Sequence, residues 1–195
     1  MIFQQWSIAA VFMLVISSLV LVLSQEWRIY VIGLSIQYLA VFWLVAVTWP
    51  VGLAVVKLVV GWMIGAVLGA SQPTYNLIYE NEKGISGTLF RLMSSIMVLV
   101  IAVSIAPLLN AWLPAGMDIL LGGVILVGMG LLQLGMTTRP LRVIVGLLML
   151  FSGFEILYST IETSVLVAGL LAAVNLGLAL AGSYFLIIPT LEESQ

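Results

Sequence analysis

Seven uninterrupted apolar runs, at residues 6–24, 29–49, 51–70, 88–108, 118–137, 141–161 and 163–188, occupy most of this 195-residue chain. Each is about the 20 residues that a helix needs to cross a bilayer core of about 30 Å. Within such a core every backbone N–H and C=O must find its partner inside the protein, which leaves helices or a closed barrel. A barrel is written in alternating segments of about 10 residues, and these runs are continuous. The chain therefore reads as all-α, a polytopic membrane protein with seven transmembrane helices.

Composition narrows what such a bundle can do. Hydrophobic residues make up 63% and charged residues 7%, against about 25% charged in a soluble domain. The absence of Cys and His removes disulfides, haem ligation through His, iron–sulfur clusters and zinc sites built on those residues. We therefore expect no cofactor and no metal, and any redox chemistry belongs to a partner. A net charge of −2 gives no basis for nucleic-acid binding. Met1-Ile-Phe-Gln-Gln-Trp6 runs directly into the first apolar run, without the charged start and cleavage site of a signal peptide, so the first helix is expected to be retained.

The connections divide the chain. Gln25-Glu26-Trp27-Arg28 and Thr48-Trp49-Pro50 are short turns, which set neighbouring helices antiparallel. The only long polar connection is 71–88, rich in Pro, Gly and Asn. We read residues 1–70 as a first three-helix unit, 71–117 as a loop and connector helix, 118–188 as a second three-helix unit and 189–195 as an acidic tail. Arg28-Ile-Tyr-Val-Ile-Gly33-Leu and Arg142-Val-Ile-Val-Gly146-Leu each open the second helix of a unit, which suggests a parallel internal repeat. Seven spans put Arg28, Lys83, Arg91, Arg139 and Arg142 on one side. The positive-inside rule makes that side cytoplasmic, with the N terminus outside and the C terminus inside, as expected of a multi-pass protein of a cell inner membrane.

Two charges stand more than one helical turn from either end of a span, Lys57 in the third run and Glu155 in the sixth. A carboxylate or ammonium there costs roughly 2.5–3.5 kcal/mol on insertion scales, so each calls for a partner or a function. Counted from the outer ends of their runs, Lys57 lies roughly 10 Å deep and Glu155 roughly 9 Å deep. A Lys57–Glu155 pair joining the two units follows as an expectation. Burial favours the neutral forms while a partner charge favours the charged ones, so such a pair is either a switchable stage in a proton path or a static ion pair. Asn175, in the last run, is an interhelical hydrogen-bonding group or a relay, and Gln37, Ser35 and Ser152 read as interhelical hydrogen bonders. Glu162 is expected at the start of the last helix as a dipole cap. The glycines at 61, 65 and 69, and more loosely 123, 128 and 130, have the spacing of close helix contacts.

Arg139-Pro-Leu-Arg142, Val143-Ile-Val-Gly146-Leu and Ala172-Ala-Val-Asn-Leu-Gly177-Leu-Ala-Leu180 resemble the K-type membrane subunit of respiratory complex I and its relatives in cation/proton antiporters. The full layout resembles the E-type membrane subunit of group 4 membrane-bound hydrogenases. The family's two intramembrane Glu positions fall here on Leu148 and Ala173, while Glu155 stands two turns beyond Leu148 on nearly the same helical face. The resemblance implies a subunit that is not catalytic alone. It would sit in a redox-driven, proton-translocating respiratory assembly between antiporter-like and redox-arm membrane subunits, embedded in lipid, with Glu155, Lys57 and Asn175 along a proton path. The alternatives are a purely structural packing subunit and an independent small carrier.

Overall fold

The computed structural model describes residues 4, 6–71, 85–113 and 115–192. Seven helices are formed among them: α1 (Ser7–Leu23), α2 (Trp27–Thr48), α3 (Val51–Ala70), α4 (Ile85–Leu109), α5 (Met117–Gly135), α6 (Pro140–Tyr158) and α7 (Val165–Glu192). Six of them, α2 to α7, are long and apolar enough to cross a membrane. The remaining helix, α1, has 17 residues, about 25 Å at 1.5 Å per residue. Lys83 and most of the 71–88 connection lie outside the described residues, as do the last three residues of the tail; α7 itself continues past 188 to Glu192.

Local chemistry sets the helix boundaries. Pro50 and Pro140 stand at the starts of α3 and α6, where a missing N–H costs nothing. Helix α6 stops at Tyr158, earlier than hydropathy suggests, because Ser159, Thr160 and Ile161 turn the chain with backbone bonds back to Glu155, Leu157 and Tyr158. Glu162 consequently stands in the turn before α7 and not on its first helical turn. Its carboxylate accepts a hydrogen bond from the Tyr158 hydroxyl at 2.9 Å and its carbonyl accepts one from Trp49 Nε1 at 3.0 Å. The capping role expected of Glu162 is thereby corrected, since these bonds anchor the turn to the end of α2.

Helices α1, α2 and α3 pack in sequence, as do α5, α6 and α7, and α4 leans on α5 and α1. Between the two groups, α1 meets α5, α2 meets α6 and α3 meets α7. At one end of the bundle the Ser7 hydroxyl donates to Asp118 Oδ2 at 2.5 Å and Thr48 Oγ1 donates to Ser159 Oγ at 3.0 Å. Both bonds join residues 111 apart in sequence, so the first residues of α1 and α5, and the ends of α2 and α6, face each other.

Glycine decides how closely the helices approach. In lipid, apolar side chains gain nothing by leaving one apolar medium for another, so association relies on close packing. The Tyr38 ring lies directly over Gly61, and Gly65 and Gly69 receive Ser35 and Val31, so the 61/65/69 stripe is the seat of α2 on α3. The closest backbone approach is between α5 and α6. A Cβ on Gly130 would fall 2.6 Å from Leu150 N, and one on Gly153 would fall 2.6 Å from Val127 N. Because backbone cannot yield as a side chain tip can, Gly130→Val or Gly153→Val is expected to cost about 3 kcal/mol or more. Gly169→Ala, with open space around it, is expected to be neutral, and thermal unfolding in detergent checks both.

Candidate functional site

Lys57 on α3, Glu155 on α6 and Asn175 on α7 converge in the interior. Lys57 Nζ lies 2.6 Å from Glu155 Oε1, and Asn175 Nδ2 donates to the same oxygen at 2.8 Å. Side-chain exposure is 1% for Lys57 and 2% for Glu155, and Asn175 is fully buried. Measured from the helix ends, the Cα of Lys57 is about 9 Å into α3 and that of Glu155 only about 4.5 Å into α6, because α6 ends earlier than its apolar run. The long Lys57 stem makes up the difference.

Helical spacing accounts for the convergence on the α6 side. Leu148, Ser152 and Glu155 all fall on the buried stripe of α6, as positions separated by four and three residues must. Leu148 is fully buried and Ala173 is exposed, so of these two positions only Leu148 shares the interior with Glu155. On α3, Lys57, Gly61 and Ile64 line the buried face, and Gly61 admits the Tyr38 ring one turn from Lys57. The Tyr38 hydroxyl lies near Ser152 and within electrostatic reach of Glu155.

The polar groups of this centre are unevenly satisfied. Both contacts to the carboxylate fall on Oε1, and Glu155 Oε2 has no hydrogen-bond partner among the described residues. The same holds for Asn175 Oδ1 and the Tyr38 hydroxyl, and Gln37 on α2 is a further buried amide without a partner among the described residues. Buried polar groups of this kind have capacity for water or a proton. The serines behave differently from expectation, since Ser35 and Ser152 donate to Val31 O and Leu148 O of their own helices, and Gln37 makes no interhelical bond among the described residues.

Chemically, the arrangement offers a carboxylate and an ammonium of net charge zero in a medium where isolated charge is costly. Transfer of one proton from Lys57 Nζ to Glu155 Oε1 leaves two neutral groups and the same net charge. Asn175 holds the carboxylate in place and Tyr38 faces it with a hydroxyl. No group of three or more His, Cys, Asp or Glu side chains able to hold a metal is formed among the described residues.

A second polar cluster escaped the sequence reading. At the opposite end, Arg142 Nη2 and the Tyr30 hydroxyl both donate to Ser24 O, at 2.9 and 2.5 Å, and Arg142 is 5% exposed. Its position two residues inside α6 was the available signal. Compared with protein-family models, curated proteins and solved structures, the chain matches none.

Removing one partner of the central pair strands the other. Lys57→Met and Glu155→Leu are each expected to destabilise by about 3–5 kcal/mol. The double substitution is expected to recover most of that loss, and unfolding of the four proteins in detergent measures the coupling. Losses that simply add would mean that the two groups do not interact.

Proposed function

We propose that this chain is a membrane subunit of a proton-translocating assembly, related in layout to complex I-like and hydrogenase-like respiratory complexes, and that protons pass through the Lys57–Glu155–Asn175 centre. One observation carries the reading. A carboxylate and an ammonium 2.6 Å apart are held where helices of both three-helix groups meet, with Glu155 Oε2 open to a proton. A pair that only locked the helices together would gain most from a fully satisfied carboxylate. The resemblance of 139–146 and 172–180 to complex I and antiporter subunits supports the same reading.

In this proposal α1 is the seventh span and α4 the connector between two parallel three-helix units. Pairing of α1 with α5, α2 with α6 and α3 with α7 supports the repeat, since counterparts related by an axis along the membrane normal meet one another across it. The N terminus lies outside and the C terminus in the cytoplasm, because Arg28, Arg91, Arg139 and Arg142 gather at one end. Helix α4 presents Phe90, Met93, Met97, Val100 and Leu108 outward, the surface at which a neighbouring antiporter-like subunit or lipid would lie. A static packing role is the second reading, favoured by the near-complete enclosure of both charges. It rests on the same pair and differs only in whether the proton moves.

Two measurements test the proposal. Mild-detergent purification of the tagged chain is expected to recover antiporter-like subunits together with iron–sulfur or hydrogenase-like ones; recovery of the chain alone would contradict it. In the assembled complex, Glu155→Gln keeps the size of the side chain and one acceptor oxygen for Lys57 and Asn175, and removes the charge and the titratable carboxyl. Proton-coupled activity per complex is then expected to fall by about a hundredfold or more, the low end of what a positioned proton-transfer group contributes. Unchanged activity per complex supports the static role instead.

A further inference from the structure

The Lys57–Glu155 pair is far from one end of the bundle and close to the other. Along α6 about 20 Å separate Glu155 from Arg142, and on that buried stripe Val145, Leu148 and Met149 are fully enclosed. The hydroxyl in it, that of Ser152, is committed to Leu148 O. In the other direction Ser159 follows one turn after Glu155. Its backbone N–H donates to Glu155 O at 2.9 Å and its φ of −59° and ψ of −17° are helical, so the two side chains share a face with Cβ atoms about 5–6 Å apart. Ser159 is 2% exposed, and its Oγ accepts a hydrogen bond from Thr48 Oγ1 at 3.0 Å. Thr48 is the last residue of α2 and is only half-buried. Short polar steps thus lead from enclosed Glu155 through Ser159 to Thr48 at the end of the bundle.

Packing around the pair has the same asymmetry. Towards the Arg142 end, the small positions Gly61 on α3 and Gly182 on α7 are filled by the Tyr38 ring and by Ile144. Towards the Thr48 end, the buried positions next to the pair are Ala54 on α3 and Ala172 and Ala168 on α7. Large side chains close one direction, while methyl groups and hydroxyls line the other. Glu155 Oε2 has no hydrogen-bond partner among the described residues. A carboxylate oxygen with free capacity and a hydroxyl one turn away are the partners that a bridging water requires.

We propose that Glu155 exchanges its proton with the face of the bundle at which α2 and α6 end, and that the Ser159 and Thr48 hydroxyls carry it. This rests on the reading of the pair as a proton site and adds the side from which the pair is reached and the residues that serve it. A proton added at Thr48 Oγ1 pushes the one that oxygen carried on to Ser159 Oγ, and the Ser159 proton passes over one water to Glu155 Oε2. Each hydroxyl ends with one proton, the water is unchanged and the carboxylate becomes a carboxyl; release reverses the steps. The titratable groups facing Glu155 are Lys57 of α3 and Tyr38 of α2, and α7 contributes the neutral Asn175.

The test reconstitutes the full chain, in whatever assembly it purifies with, into liposomes. The pH is stepped on one face at a time while the carboxyl band lost in Glu155→Gln is followed by time-resolved infrared spectroscopy. The sequence holds no cysteine, so Trp112→Cys, in the exposed turn between α4 and α5 at the Thr48 end, reports orientation through an impermeant maleimide. The band is expected to answer a step on the face that bears residue 112 faster than the same step on the Arg142 face. Thr48→Val keeps the shape of the side chain without its hydroxyl and is expected to slow that response by about a hundredfold or more, as loss of a positioned proton-transfer group does. Ser159→Ala is expected to slow it as well, and Thr48→Ser, which keeps a hydroxyl, to retain the wild-type rate. Equal rates from both faces, a faster response from the Arg142 face, or wild-type rates in Thr48→Val and Ser159→Ala overturn the proposal. A band that follows neither face contradicts the reading of the pair as a proton site, and this proposal with it.

Discussion

Two opposite charges buried against one another carry the interior of this protein. An ion of carboxylate or ammonium size costs several kcal/mol to bury, and only close, hydrogen-bonded pairing offsets that cost. Lys57 and Glu155 meet at 2.6 Å, and Asn175 adds a donor to the same oxygen. Three helices are thereby committed to one arrangement. Helix α3 must present Lys57 inward, α6 must present Glu155, and α7 must bring Asn175 to the same oxygen. The glycine at 61 serves this geometry indirectly, because the space it leaves admits Tyr38 beside the pair.

Around that centre the fold relies on proximity more than on hydrophobicity. Large apolar side chains such as Phe12, Trp62, Met97 and Leu166 point outward, as lipid permits, while Gly123, Gly130, Gly146 and Gly153 bring α5 and α6 almost backbone to backbone. Apolar packing such as Leu14 and Leu44 against Gly122 joins the two helix groups, and polar bonds close its ends. Ser7 with Asp118, Thr48 with Ser159 and Trp49 with Glu162 close one end, and Arg142 with Ser24 closes the other. Such bonds average about 0.6 kcal/mol each in a membrane, less than the pair they surround, so they orient the groups while the buried charges set the register.

Much of the helical layout was legible before any coordinate, because hydropathy alone must be continuous over a span. The identity of the charged groups was legible for the same reason, as a Lys or Glu in an apolar run has few excuses. What hydropathy lacks is azimuth and local turn chemistry. It made Ile161 part of the sixth helix, since an apolar residue in a turn reads like one in a span, and so set Glu155 deeper than it lies and Glu162 on a helix it does not join. Tyr38 was invisible because an aromatic ring in an apolar run signals nothing about its hydroxyl. Ser152 and Ser35 looked like bridges between helices, but a hydroxyl one turn above a carbonyl of its own helix finds that carbonyl first. Arg142 was legible as the opening of its helix, but hydropathy has no signal for a guanidinium that bonds the carbonyl at the end of α1.

Whether the central pair moves a proton is decided by the state of one carboxyl group. Infrared difference spectroscopy of the assembled protein in liposomes, recorded with and without an imposed proton gradient and assigned with Glu155→Gln, observes that group directly. The account predicts a carboxyl band that appears or vanishes with the gradient and is absent from Glu155→Gln. A Glu155 carboxylate that keeps the same ionisation state under every gradient would contradict it and leave the pair as a fixed joint between helices.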